Sequence, residues 1–177
     1  MLLNKDRLEE QMDRCHLDAV IATSPENVTY SSGFWGLPQW IRRGPQAHVM
    51  LPARGMAEPE IVTSTSTLDL VADQDVWIRK VRRYREFHVD AAQAPFTDAQ
   101  SRRHVELGDN PTYSDALAAM VTALNDAGLN RALIGVEEEG LAPGFAEALA
   151  SLLPHVTWMP GGPVLPLHAR SMLQTAS

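Results

Sequence analysis

Apolar residues recur at helical spacing from the start of the chain. Leu3, Leu8, Met12 and Cys15 alternate with Lys5, Asp6, Arg7, Glu9, Glu10 and Asp13, which predicts an amphipathic helix over residues 3–15 packed on a sheet. The pattern then changes period. Leu17 to Thr23 is short, apolar and β-branched, the mark of a buried strand. Ser24-Pro25-Glu26-Asn27 carries a serine N-cap, a proline at the first helical position and an acid in the first turn, and Gly33 and Gly36 keep the resulting helix short. Residues 46–52 and 60–64 read as two strands joined by Ala53-Arg54-Gly55-Met56, a hairpin. Val76 to Tyr84 alternates apolar residues with Arg79, Lys80, Arg82 and Arg83, with one slip, and reads as an edge strand. Residues 85–110 have no clear period and suggest a long, partly ordered connection.

Order returns over Thr112 to Ala127, where Tyr113, Leu117, Met120, Val121 and Leu124 form one helix face that ends at Gly128. Ala132 to Val136 is a further buried strand. Pro143 to Leu153 is a helix with Phe145, Leu149, Leu152 and Leu153 inward, and Val156 to Met159 is a last strand. The alternation implies an α/β fold: a three-layer domain with a mixed, partly antiparallel sheet flanked by helices.

Composition adds limits. The 177 residues are 45% hydrophobic and 21% charged, the profile of a single domain large enough to form a core without a disulfide or metal staple. The 15 Lys+Arg against 22 Asp+Glu give a net charge of −7, which argues against general nucleic-acid binding. Neither a secretion signal nor a bilayer-spanning run is present, so no membrane partner and a cytoplasmic location are expected. Cys15 is the one cysteine and lies on the apolar face of the first helix, where a buried structural thiol is expected.

Chemistry is sparse. His16, His48, His88, His104, His155 and His168 show no metal-pair spacing and read as ordinary surface or boundary residues. Nucleophile-elbow, Walker and dinucleotide signatures are absent. Glu137-Glu138-Glu139 follows a strand, at the end where open α/β sheets bind ligands, and is either a solvated acidic turn or a cation or general-base site. The stretch from Phe34 to Arg43 sets Trp35 and Trp40 beside Arg42 and Arg43, a pairing that suits either an interface anchor or a local aromatic core with solvated arginines.

Leu17 through Tyr30, running into Ser32-Gly33-Phe34, together with Leu124–Gly128, Ile134-Gly135-Val136-Glu137-Glu138, the helix to Leu153-Pro154 and Val164-Leu165, resembles the N-terminal domain of the creatinase/prolidase family of pita-bread metallohydrolases, which includes aminopeptidase P and Xaa-Pro dipeptidase. The resemblance implies a domain over residues 1–166 and a tail over 167–177, where the linker to an absent catalytic domain would begin, as in a fragment or truncated product. It also implies that the divalent metal pair, held by two aspartates, a histidine and two glutamates, belongs to that other domain, so no cofactor and no catalytic residue is expected in this chain. In creatinase-like dimers an aromatic residue and an arginine before the hairpin contact the partner's substrate. Trp40, Arg42 and Arg43 fall in that segment, with Trp35 a further candidate. The expected role is therefore non-catalytic: supporting a homodimer or the parent enzyme's catalytic domain, and capping the partner's substrate site. Two alternatives are a stand-alone interaction module and an independent enzyme built on Glu137 to Glu139.

Overall fold

The computed structural model describes residues 2–87, 98–161 and 164–165. Their elements are helices α1 (Lys5–Cys15), α2 (Pro25–Ser32), α3 (Leu37–Trp40), α4 (Leu68–Asp73), α5 (Ala99–Gly108), α6 (Ala116–Asp126) and α7 (Phe145–Leu152). The strands are β1 (Ala19–Ala22), β2 (His48–Pro52), β3 (Glu60–Ser64), β4 (Lys80–Tyr84), β5 (Thr112–Tyr113), β6 (Leu133–Val136) and β7 (Thr157–Pro160). They form one sheet in the order β5-β4-β3-β2-β1-β6-β7. Only the β1–β2 and β2–β3 pairs are antiparallel, so β2 alone runs against the others.

Side-chain alternation divides the core between the two sheet faces. Val20 and Ala22 of β1 and Val49 and Leu51 of β2 pack with Leu8 and Met12 of α1, Val28 of α2 and Leu68 and Val71 of α4. Ala19, Ile21 and Met50 face the other way, onto Met120 and Leu124 of α6 and Leu149 of α7. The helices on both faces make the three layers expected from the sequence.

The helix ends follow local chemistry. Asn4 Oδ1 accepts from Arg7 N at 3.1 Å to start α1, and Ser24 Oγ accepts from Asn27 N at 3.2 Å to start α2. Gly33 closes α2 at φ +81°, a backbone conformation that favours glycine.

Four readings of the pattern need correction. The 85–110 segment contains α5, started by Asp98, whose carboxylate accepts from Ser101 N at 2.7 Å. The edge-strand reading of 76–84 fails because β4 lies between β3 and β5. Its charges misled: Arg82, 8% exposed, is buried and bonded to Glu60 Oε1 (2.6 Å), Tyr113 OH (2.6 Å) and Asp126 Oδ2 (2.8 Å), while Lys80 Nζ sits 2.9 Å from Glu60 Oε2. A side chain neutralised in this way can face the core. Thr112 and Tyr113 are a short edge strand and not the first turn of α6, which starts at its Asp115 cap. Leu152 is exposed on the last turn of α7, since Leu149 and Leu153 suffice to fill the inward stripe.

The boundary at 166/167, the tail, His88 and His168 lie outside the described residues. Among the described residues no helix is long and apolar enough to cross a membrane. Cys15 is half-buried against the first core and unpaired by any disulfide.

Candidate functional site: the 34–46 segment at the carboxyl edge of the sheet

Because β1, β3, β4, β5, β6 and β7 are parallel, their carboxyl ends share one edge, which the start of β2 joins from the opposite direction. Loops at this edge hold the polar residues of interest. The segment from Phe34 to Gln46 crosses it, linking α2 to β2.

Buried groups anchor this segment. Phe34 is 1% exposed. Gln39 is buried and its amide bridges two elements: Nε2 donates to Thr23 O (2.7 Å) and Ala47 O (3.0 Å), and Oε1 accepts from Ala47 N (3.3 Å). Gln74, after α4, clamps Trp35 from outside, with Oε1 accepting from Trp35 N (2.7 Å) and Nε2 donating to Trp35 O (3.0 Å). A backbone held at these points is ordered, yet its large side chains point outward. Trp35 is 44% exposed, Leu37 44%, Trp40 37% and Ile41 56%. Trp40 is oriented by a hydrogen bond from Nε1 to Thr29 Oγ1 at 3.2 Å.

The arginines follow directly. Arg42 sits at φ +53° and ends α3: Arg42 N donates to Gln39 O (3.0 Å) and Arg43 N to Pro38 O (2.9 Å). This is the paired-bond helix termination in which glycine usually fills the left-handed position. An arginine there costs about 1 kcal/mol of backbone strain relative to glycine. Arg42 lines a cleft of about 180 Å3 with Ser24, Glu26, Gln46 and Glu139, at the start of α2. Arg43 is exposed and lies outside that cleft. The structure thus brings Trp35, Trp40, Arg42 and Arg43 onto one segment, with Arg42 placed against a cavity.

The acidic triplet divides: two of its members are the solvated turn, and the first is buried. Glu137 is 4% exposed, while Glu138 and Glu139 are splayed into solvent. Glu137 Oε2 accepts from Thr23 N (2.7 Å) and Ser24 N (2.9 Å), and Oε1 accepts from Asn27 Nδ2. Thr23 Oγ1 donates to the Glu137 carbonyl at 2.6 Å. The carboxylate ties the end of β6 to the end of β1 and the start of α2. It is a structural group, with its oxygens committed to these donors.

His48 also departs from the surface reading. It is 1% exposed at the start of β2, against Phe145 with ring centroids 5.2 Å apart. Burial pushes its imidazole down to about 4. Among the described residues no group of three or more His, Cys, Asp or Glu is placed to hold a metal ion.

The family model described as the creatinase/prolidase N-terminal domain matches residues 5–167. The chain belongs to this family. Solved structures share the creatinase/prolidase N-terminal fold at low identity. The prolidase from Pyrococcus horikoshii OT3 matches with a TM-score of 0.55 and 15% identity, over 94% of this chain and 33% of that one. The chain thus spans about a third of the length of that prolidase. An Xaa-Pro aminopeptidase structure from Streptococcus thermophilus matches with a TM-score of 0.56 and 17% identity, over 91% of each chain. The N-terminal domain of the cytoplasmic peptidase PepQ from Mycobacterium tuberculosis H37Rv matches with a TM-score of 0.52 and 14% identity, over 91% of this chain and 94% of that one. No curated protein matches the chain.

Two anchors of the segment, Gln39 and Gln74, were missed from sequence. Their partners are main-chain groups far along the chain or in another loop, and a lone glutamine carries no signal for that.

Proposed function

We propose that this creatinase/prolidase N-terminal domain serves a dimeric Xaa-Pro dipeptidase-type metallohydrolase as a non-catalytic subunit-contact domain. Trp35, Trp40, Arg42 and Arg43 reach the partner subunit's substrate site in this reading. The observation that carries it is the 34–46 segment itself: main chain pinned by Gln39 and Gln74, with four large apolar side chains left exposed beside two arginines. Exposed aromatics next to arginine on a rigid support are the make-up of an interface hot spot, and an arginine fork suits a substrate carboxylate. The strain accepted at Arg42 supports the same reading, because glycine would satisfy the turn more easily. The metal pair supplies the hydrolytic chemistry in the other domain, and this chain's part is to bind and to exclude water.

In an enzyme carrying this domain, Arg42→Gly raises KM by about tenfold with kcat little changed, as loss of a binding contact shared by ground and transition states requires. An unchanged KM in Arg42→Gly, Arg43→Ala and Trp40→Ala alike contradicts the proposal. The second reading is a stand-alone interaction module, which the exposed Trp35 and Trp40 would serve equally well. It predicts tight partner binding through Trp35 and Trp40 without any hydrolase half.

A further inference from the structure

The amino edge of the sheet, at the other end of the strands, holds a cleft of about 330 Å3 lined by Glu60, Lys80, Arg82, Asn110, Tyr113 and Asp126. It opens between the starts of β3 and β4, the short strand β5 and the last turn of α6. The volume is within the range of small-molecule pockets.

The floor of this cleft is charged where a core is expected. Glu60 and Lys80 are cross-strand partners, and with Arg82 they put charge on the sheet face that elsewhere packs on α6. Glu60 is buried, and the buried Arg82 spends Nε on Glu60, NH1 on Tyr113 OH and NH2 on Asp126. Apolar side chains of similar volume often serve stability as well as a buried ion group or better. Its presence beside an open cleft therefore points to a use other than stability.

The remaining bonding capacity lies on side chains that reach solvent. Lys80, 40% exposed, holds Glu60 Oε2 and keeps two further protons. Asp126, 54% exposed, gives Oδ2 to Arg82 and keeps Oδ1. The half-buried Tyr113 hydroxyl accepts from Arg82 and keeps its own proton, while Asn110 donates from Nδ2 to Val81 O at 2.9 Å and keeps Oδ1. Among the described residues nothing takes up this capacity. The charges decide what can. Glu60 and Asp126 offset Lys80 and Arg82 on the same wall, and Arg79 stands exposed at the rim. An oxyanion would lie against the two carboxylates and an ammonium against the two cations, and like charges brought together repel. A hydroxyl both donates and accepts, so neighbouring hydroxyls can join Asp126 to Lys80 and Asn110 to Tyr113 with no net charge to desolvate. Pro111 and the Tyr113 ring offer apolar contact for the C–H groups between them.

We propose that this cleft binds a neutral polyhydroxyl compound of sugar size, whose hydroxyls donate to Asp126 Oδ1 and Asn110 Oδ1 and accept from Lys80 Nζ and Tyr113 OH. No residue of the 34–46 segment takes part, so the site stands or falls separately from the subunit-contact role.

The test is an NMR titration of the 15N-labelled chain with D-glucose, D-ribose and myo-inositol, with cyclohexanol and inorganic phosphate run in parallel. Two variants accompany it: Tyr113→Phe keeps the ring and removes the hydroxyl, and Asp126→Asn keeps an oxygen for Arg82 and removes the charge. Thermal unfolding of each is followed alongside, and if one does not fold the other carries the comparison. Saturable amide shifts at Lys80, Asn110 and Asp126 with at least one of the polyols, weakened about tenfold by each folded variant, are expected. The proposal is overturned by absent shifts with all three polyols, by equal shifts with cyclohexanol, or by binding that the folded variants leave unchanged. Phosphate moving the same signals as strongly as the polyols also overturns the assignment to a neutral ligand.

Discussion

Replacing Glu137 with alanine removes the acceptor for three donors at once. Thr23 N and Ser24 N, at 2.7 and 2.9 Å from Oε2, and the Asn27 amide on Oε1 all lie in buried surroundings. Stranding buried donors costs about 1–3 kcal/mol each, and bonds to a charged acceptor sit at the upper part of that scale. Local relaxation and entering water recover part of the loss, so Glu137→Ala should cost about 3–5 kcal/mol. Glu137→Gln is the discriminating companion. Its remaining oxygen can still take both backbone N–H groups, and its new NH2 can be met by Asn27 Oδ1, which is buried without a partner and becomes available if the Asn27 amide flips. That variant should cost roughly 1–2 kcal/mol. Urea unfolding followed by tryptophan fluorescence reads both, with the m-value unchanged and the midpoint lowered. At this chain length Glu137→Ala corresponds to a fall of roughly 6–20 °C in Tm. A loss below about 1 kcal/mol for Glu137→Ala, or equal losses for the two variants, would refute the view of Glu137 as a structural staple.

Three further outcomes follow from the same geometry. His48 is held down near 4 by burial, whereas unfolded histidine takes its proton near 6.5, so the stability it confers is complete above about pH 6.5 and is lost as pH falls toward 4, by about 3 kcal/mol in all; denaturant midpoints against pH should flatten in His48→Gln, and an unaltered profile contradicts this. At Arg42, φ +53° predicts that Arg42→Gly unfolds at a denaturant midpoint equal to or above that of Arg42→Ala, by about 1 kcal/mol of stability, and the reverse order would contradict the strain assigned there. A Cβ at Gly140 would overlap the Thr23 main chain, so Gly140→Ala should destabilise by more than about 2 kcal/mol in thermal unfolding, through a forced shift of the joint that Glu137 holds; a Tm within a degree or two of the parent contradicts the close approach.

Much of the layer plan was legible because it is written in local periodicity. Leu8 and Met12 at helical spacing, the Ser24-Pro25 cap, and the apolar runs at β1 and β6 each specify their element without distant information. The failures have a common cause: long-range partners that change what a residue type means. Arg82 reads as solvent-facing until Glu60 and Asp126 neutralise it, and β5 is too short for any period to register. The site behaved alike. The aromatic–arginine segment was visible in composition, since Trp35, Trp40, Arg42 and Arg43 are neighbours in sequence. The glutamines that fix it, the stapled role of Glu137 and the burial of His48 depend on main-chain groups and rings brought up by the fold.

Oxidative footprinting of Trp35 and Trp40, compared between the isolated chain and the domain assembled in the dimeric enzyme proposed for it, tests the subunit-contact role most directly. Both rings are exposed in the chain and should be oxidised readily there, then protected on assembly, with Trp77 as an internal reference packed against the first core in both states. Equal oxidation of Trp35 and Trp40 in the two states would contradict the account.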